Sequence, residues 1–279
     1  MNIVRSLAVA VLTLIATLHA ASAQATASHA PHVFTGFDQN LYPGDAMLPL
    51  LRKDLDFVGY WLNTPPGSNV NTWSGKRSIL RDQGFGFVVL FNSRSGKALK
   101  RVDPAVTART DAALAVAAAK REGFPPRTIL FLDLEDGGRM ERAVSDYVVA
   151  WADAIRKSDF RPGVYCSGIE VEDGPGTKIS TADDVHAKDG DISLWIANDV
   201  CPPAPGCRIP HGDLTMEQSG RTDALVWQFA QSPRRREFTS SCVATYARDG
   251  NCYPPGVPHN DRTLLDLNLS SSPDPSGGR

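Results

Sequence analysis

Eight short apolar runs recur along the chain, at Val33–Phe37, Phe57–Leu62, Phe85–Phe91, Thr128–Leu134, Gly163–Cys166, Ile192–Ala197, Leu225–Phe229 and Leu264–Leu267. All are of strand length, and several are apolar almost throughout, as strands buried on both faces of a parallel sheet are. Several of the connections carry helical signals. Pro104 to Arg121 is dense in Ala and Leu, follows Asp103 as a cap, and stops at Gly123 before Pro125-Pro126. Met140 to Lys157 sets Val144, Val148, Trp151 and Ile155 at helical spacing. Met47 to Lys53 and Lys76 to Gln83 are shorter helical stretches. Eight strands alternating with helices predict an α/β fold, a (β/α)8 TIM-type barrel over residues 33–269. An open doubly wound sheet would alternate in the same way, but no Gly-rich dinucleotide turn is present. Glu170 to Asp191, Asp199 to Thr222 and Gln231 to Arg262 are rich in Gly, Pro and polar residues. The outer helices of the C-terminal half are therefore expected to be degenerate or missing, replaced by long disulfide-stapled loops.

The N-terminus reads as a targeting segment. Arg5 precedes an apolar stretch from Leu7 to Leu18, and Ala21-Ser22-Ala23 is a small-residue cleavage site. Residues 1–23 are thus expected to be a secretory signal, 24–32 a linker, and 270–279 a disordered tail. No later apolar segment has spanning length, so the mature chain is expected to be secreted or periplasmic, off the membrane, and monomeric. The cysteines agree with export. Cys201 and Cys207 flank one loop and Cys242 and Cys252 another, so two local disulfides are the natural reading, with crossed pairings open. Cys166 lies inside an apolar string and is expected to be a buried, inert thiol.

The formal net charge is −2, and Arg234-Arg235-Arg236 is the only basic cluster, so nothing marks a nucleic-acid partner. No Cys or His pair has ligand spacing, so no metal and no cofactor is expected.

The fourth run ends in two acids, Asp133-Leu134-Glu135. Side chains two apart on a strand share one face, so both carboxyls point the same way. Each loses hydration there and each repels the other, a cost that proteins tolerate where chemistry is done. Barrel enzymes keep their chemistry at the C-terminal strand ends. Those ends supply Asp38 from the first strand, Tyr60 and Asn63 from the second, Trp227 and Gln228 from the seventh, and Asp266 from the eighth. Acids, amides and aromatics with few bases suit a carbohydrate, such as a cell-wall glycan or peptidoglycan fragment. Glycoside cleavage requires one protonated acid and one ionised carboxylate. Glu135, with the longer reach, is the candidate acid; Asp133 would stabilise the reacting centre or orient the substrate if an acetamido group assists. Asp38, Asp266, Asn63, Tyr60, Gln228 and Trp227 are the candidate substrate-binding residues.

At these residues the chain resembles a known group. Gly36-Phe37-Asp38, Asp133-Leu134-Glu135, Leu194-Trp195-Ile196-Ala197, Trp227-Gln228 and Asp266-Leu267-Asn268 resemble the motifs of family 25 glycoside hydrolases, the lysozyme-type muramidases. The bacterial domain-of-unknown-function family 1906, a glycoside-hydrolase-like barrel, is similar more closely. The muramidase resemblance implies that Asp133 and Glu135 are the catalytic pair, with Asp38 and Asp266 in the same pocket. The ends of strands two and three, Tyr60-Trp61-Leu62-Asn63 and Leu90-Phe91-Asn92, depart from the muramidase pattern and leave the sugar open. Two functions fit: a glycoside hydrolase, or a non-catalytic glycan-binding barrel that keeps the acidic pocket. A metal-dependent phosphodiesterase would require histidines among the strand-end acids.

Overall fold

The structure, a computed structural model, describes residues 32–199, 214–231, 262 and 265–279. The expected signal, the four loop cysteines and Arg234-Arg235-Arg236 lie outside these residues. Among the described residues no helix is long and apolar enough to cross a membrane.

The apolar runs form a closed eight-stranded barrel. Its strands are β1 (Phe34–Asp38), β2 (Phe57–Trp61), β3 (Gly86–Asn92), β4 (Ile129–Asp133), β5 (Arg161–Ser167), β8 (Ser193–Ala197), β9 (Ala224–Ala230) and β10 (Asp266–Ser270). A small hairpin, β6 (Val171–Glu172) with β7 (Lys178–Ile179), stands apart from it. Neighbouring barrel strands from β1 through β9 run parallel. β10 closes the ring between β9 and β1 and is antiparallel to both. The last strand of a (β/α)8 barrel is expected to run parallel; here it is inverted, so it enters the barrel at the end where the others leave.

Helices cover the first half of the barrel. The expected helix from Pro104 forms as α4 (Pro104–Glu122), and the Asp103 carboxylate accepts the Val106 N–H at its start. Gly123 stops it at a φ of 80°, a left-handed turn that glycine adopts without strain. Ala108, Ala112, Ala115 and Ala119 form its buried face. α5 (Arg142–Arg156) packs against it and buries Val144, Tyr147, Val148, Trp151 and Ile155. α1 (Leu48–Leu51), α2 (Arg77–Asp82) and α3 (Gly96–Leu99) are one or two turns each. One further helix forms in the stretch read as lacking helical period: α6 (Thr181–Lys188). Ser180 and Asp183 cap it reciprocally, each side chain accepting the other's backbone N–H, which offsets its weak apolar stripe. Between β8 and β9 the described residues hold only a short 3₁₀ turn, Met216–Ser219.

Residues 271–279, expected to be a disordered tail, are docked instead. Ser276 is fully buried and wedges between the starting ends of β3 and β4. Its N–H donates to the Phe87 carbonyl at 2.8 Å, its carbonyl accepts from Ile129 N–H at 2.8 Å, and its hydroxyl accepts from Val89 N–H at 3.0 Å. Arg77 donates to the Gly278 carbonyl through Nε and Nη2, at 3.1 and 2.7 Å, while its guanidinium lies over Phe124 and Phe87. The tail supplies the backbone partners that β3 and β4 lack where they splay apart.

Inside the barrel, aromatic rings fill space left by glycine. A methyl on Gly36 would lie 2.3 Å from the Phe57 ring, and one on Gly163 would lie 2.6 Å from that of Phe131. The buried thiol expected at Cys166 is found free; its burial pushes its pKa up to about 12, which keeps it unreactive.

Candidate active site

The period of two along each strand decides which side chains enter the barrel. On β4 it sends Ile129, Phe131 and Asp133 inward, and on β5 Gly163 and Tyr165, with Asp133 in register with Tyr165. On β1 it sends in Asp38, which stands opposite Asp266 of the inverted β10, with Gly36 opposite Asn268. On β9 it sends in Gln228, which pairs with Asn268 and with Ala197. Asp38, Asp133, Tyr165, Gln228, Asp266 and Asn268 therefore gather at one mouth. Asp266 arrives there because β10 runs backwards, which places the start of that strand beside the ends of the others.

Asp38 is buried and accepts two hydrogen bonds on Oδ1, from Asn268 Nδ2 at 2.7 Å and Gln228 Nε2 at 3.0 Å. Burial raises its pKa to about 6; the two amides pull it down, and the Glu135 charge pushes it up again. Asp133 is only 2% exposed, and among the described residues no donor reaches its Oδ2. Burial first, then the charges of Glu135 and Asp38, hold its carboxyl well above the ordinary range. Glu135 lies beyond the strand end and reaches solvent. Its pKa is also raised, by partial dehydration first and by Asp136 second. In all three carboxyls burial and neighbouring charge favour the protonated form, so they compete for protons as one coupled cluster.

Space for Asp38 depends on Gly59, which faces it from β2. The residue after Asp38 is pinned as well: the indoles of Trp61 and Trp73 both donate to the Gln39 carbonyl, at 3.1 and 3.2 Å.

Three residues read from the sequence as substrate contacts do other work. Tyr60 points out of the barrel, where its hydroxyl donates to Glu122 of α4 and its ring packs against Trp73, Phe87 and Phe124. Trp227 is likewise on the outer face, fully buried, with its indole donating to the Asn198 carbonyl at 2.9 Å. Both belong to strands buried on two sides, so an aromatic residue fits either face. Asn63 does lie at the mouth, but its amide clips two strand ends: Nδ2 donates to the Asn92 carbonyl at 3.0 Å, and Oδ1 accepts Asn92 N–H at 2.8 Å.

Sequence reasoning missed Tyr165, Trp195 and Asn268 as members of the site. Tyr165 donates to Gln228 Oε1 at 2.8 Å and Trp195 to Asn268 Oδ1 at 2.9 Å. Counting back by twos from the mouth along β5 and β8 would have found the first two. Asn268 required knowing the direction of β10.

The model of the Rv2525c-like, glycoside hydrolase-like domain family matches residues 57–201, just over half of the chain. The chain belongs to that family. No curated protein matches the sequence. Among solved structures, the Mycobacterium tuberculosis Tat-secreted protein Rv2525c, in complex with L-tartrate, is 13% identical, with a TM-score of 0.53 over 84% of this chain and 94% of that one. An uncharacterized B. stearothermophilus protein is 16% identical, with a TM-score of 0.52 over 85% of this chain and 95% of that one. The modular autolysin LytC from Streptococcus pneumoniae, in complex with a synthetic peptidoglycan ligand, is 12% identical, with a TM-score of 0.50 over 85% of this chain and 46% of that one. At these identities the likeness is one of fold.

Proposed function

We propose that this protein is an exported glycoside hydrolase that cleaves glycosidic bonds in a cell-wall glycan, acting as a monomer with Glu135 and Asp133 as its catalytic pair. One observation carries the reading: Asp133, a buried carboxylate with an oxygen that no donor among the described residues reaches, stands next to an acid that reaches solvent, Glu135. A buried oxygen without a donor is costly, and a ligand N–H or O–H, or a proton, relieves the cost. The family description favours the same chemistry, as does the resemblance of the strand-end motifs to family 25 muramidases, and the autolysin LytC, of similar fold over part of its length, is known in complex with a synthetic peptidoglycan ligand.

In this reaction Glu135 gives its proton to the glycosidic oxygen as the bond to the anomeric carbon breaks. Asp133, ionised in the state in which Glu135 holds the shared proton, stabilises the positive charge that develops on the sugar, or holds an acetamido N–H on its Oδ2. Water then adds to the anomeric carbon and returns a proton to Glu135. Asp38 and Asp266 bind hydroxyls beside the reacting centre, and Gln228 positions Asp38.

The test is to incubate the purified protein with peptidoglycan and a panel of wall polysaccharides and to assay new reducing ends. Turnover by the wild type that is lost in Glu135→Gln and Asp133→Asn supports hydrolysis. Equal inactivity of all three across the panel removes it, and oligosaccharide affinity without turnover would identify a glycan-binding barrel instead.

A further inference from the structure

A primary amide can donate to an ionised carboxylate or accept from a protonated one, so the groups on its far side bias which form of the carboxyl it favours. Asn268 has Trp195 on its far side. An indole N–H can only donate, and Trp195 Nε1 donates to Asn268 Oδ1 at 2.9 Å. Gln228 has Tyr165, whose hydroxyl donates to Gln228 Oε1 at 2.8 Å, and Gln231, whose Nε2 donates to the same oxygen at 3.0 Å. Tyr165 stays protonated, because burial and then the charges of Asp38, Asp133, Glu135 and Asp266 hold its pKa well above the ordinary phenol value. The Asn268 oxygen is thus taken by an indole that can only donate, and the Gln228 oxygen by a phenol hydroxyl and an amide N–H together, with both nitrogens turned toward Asp38. The donors brace each other, since the Trp195 ring meets those of Tyr165 and Phe131 edge-on, with centroids 4.9 and 5.9 Å away.

We propose that Trp195 and Tyr165 are positioning residues of this site: they orient Asn268 and Gln228 so that two amide N–H groups occupy Asp38 Oδ1, leaving Oδ2 as the oxygen that exchanges a proton with, or accepts a hydroxyl from, the ligand. The identity of that ligand rests on the glycan reading; the positioning does not. Asp38 is faced by Asp133 of β4, Glu135 beyond it, Asp266 of β10 and Tyr165 of β5, all acids or a protonated phenol. Of the groups that act on its ionisation, the two amides are what favours the charged form.

The experiment is a carbon-13 NMR titration of the Asp38 carboxyl in the wild type, Trp195→Phe and the double variant Tyr165→Phe/Gln231→Leu. Each variant removes every donor named above from one amide oxygen. A freed amide can rotate to accept from Asp38 when Asp38 carries its proton, which favours the neutral form, and it holds the ionised form less firmly, so the midpoint moves up by about one pH unit. Tyr60→Phe, which removes a buried hydroxyl outside the barrel, leaves the midpoint where it is. If Trp195→Phe does not fold, the double variant carries the test on its own. A native amide spectrum with an unmoved Asp38 midpoint in the folded variants overturns the proposal. No substrate is required, so a midpoint that moves in a protein cleaving no glycan removes the functional reading and leaves the positioning intact.

Discussion

A methyl group on Gly59 would lie 2.5 Å from Asp38 Cβ and 3.2 Å from Leu90 Cδ1, so the position of the first acid is set by the missing side chain of the second strand. Gly59→Ala is expected to force Asp38 off its two amides. The overpacking costs about 1–3 kcal/mol of stability. Urea denaturation measures the cost, and oligosaccharide titration is expected to show weakened binding.

Asp38→Asn tests the electrostatics of the pocket. The folded pKa of about 6 lies above the ordinary 3.8, so the fold binds the proton more tightly than the unfolded chain does. Stability therefore falls as pH rises from about 4 through about 6 and stays reduced above that. The asparagine variant removes the penalty. It is expected to be more stable than wild type at pH 8 by as much as about 3 kcal/mol, with no gain at about pH 3.5. Thermal melts of the two proteins across this range give the sign directly, and a constant difference at every pH would contradict it.

Glu135→Gln is expected to reduce glycan hydrolysis by about 100-fold or more, the usual contribution of a general acid. Glu135 reaches solvent, so the substitution changes stability by less than about 0.5 kcal/mol. A reducing-end assay paired with a denaturation curve separates the two effects.

Tyr60→Phe and Trp227→Phe test the outward placement of these aromatics. Each removes a buried donor outside the barrel, from Glu122 and from the Asn198 carbonyl respectively. Both are expected to lose about 1 kcal/mol of stability or more and to keep wild-type glycan affinity. A tenfold loss of affinity in either would place that residue in the pocket.

Ser276→Ala leaves the buried Val89 N–H without its acceptor, at a cost of about 1–3 kcal/mol. Gly86→Ala is expected to cost more, because its methyl would lie 1.9 Å from the Pro273 carbonyl and so lift the tail from the barrel. Calorimetric melting of both variants ranks them, and unchanged melting of Gly86→Ala would show that the tail contributes little.

Much of this architecture was legible beforehand because its signals are local. Apolar runs bounded by Gly, Pro and polar residues mark strands whatever surrounds them. The Asp103 cap and the Gly123 stop delimit α4 from within its own segment. Asp133 points into the barrel because the strand period is two, a property of the backbone alone, while Glu135 follows just beyond the strand end. The α6 helix was legible too, through Ser180 and Asp183, but its weak apolar stripe hid it.

The sequence by itself determined the strands, the principal helices and the pair of acids at the end of β4, since each follows from neighbours a few residues apart. Only the tertiary structure decided the direction of β10, the docking of the tail, and the face that each aromatic presents. In a strand buried on both sides no polar residue marks the outside, so Tyr60 and Trp227 carry no sign of which way they point. Strand direction is set by the connection and by closure of the ring, and the residues of β10 read alike either way. Closure also turns separate strand ends into one site: Asp38 meets Asn268 and Gln228 across 230 and 190 residues of chain, contacts that no local pattern encodes.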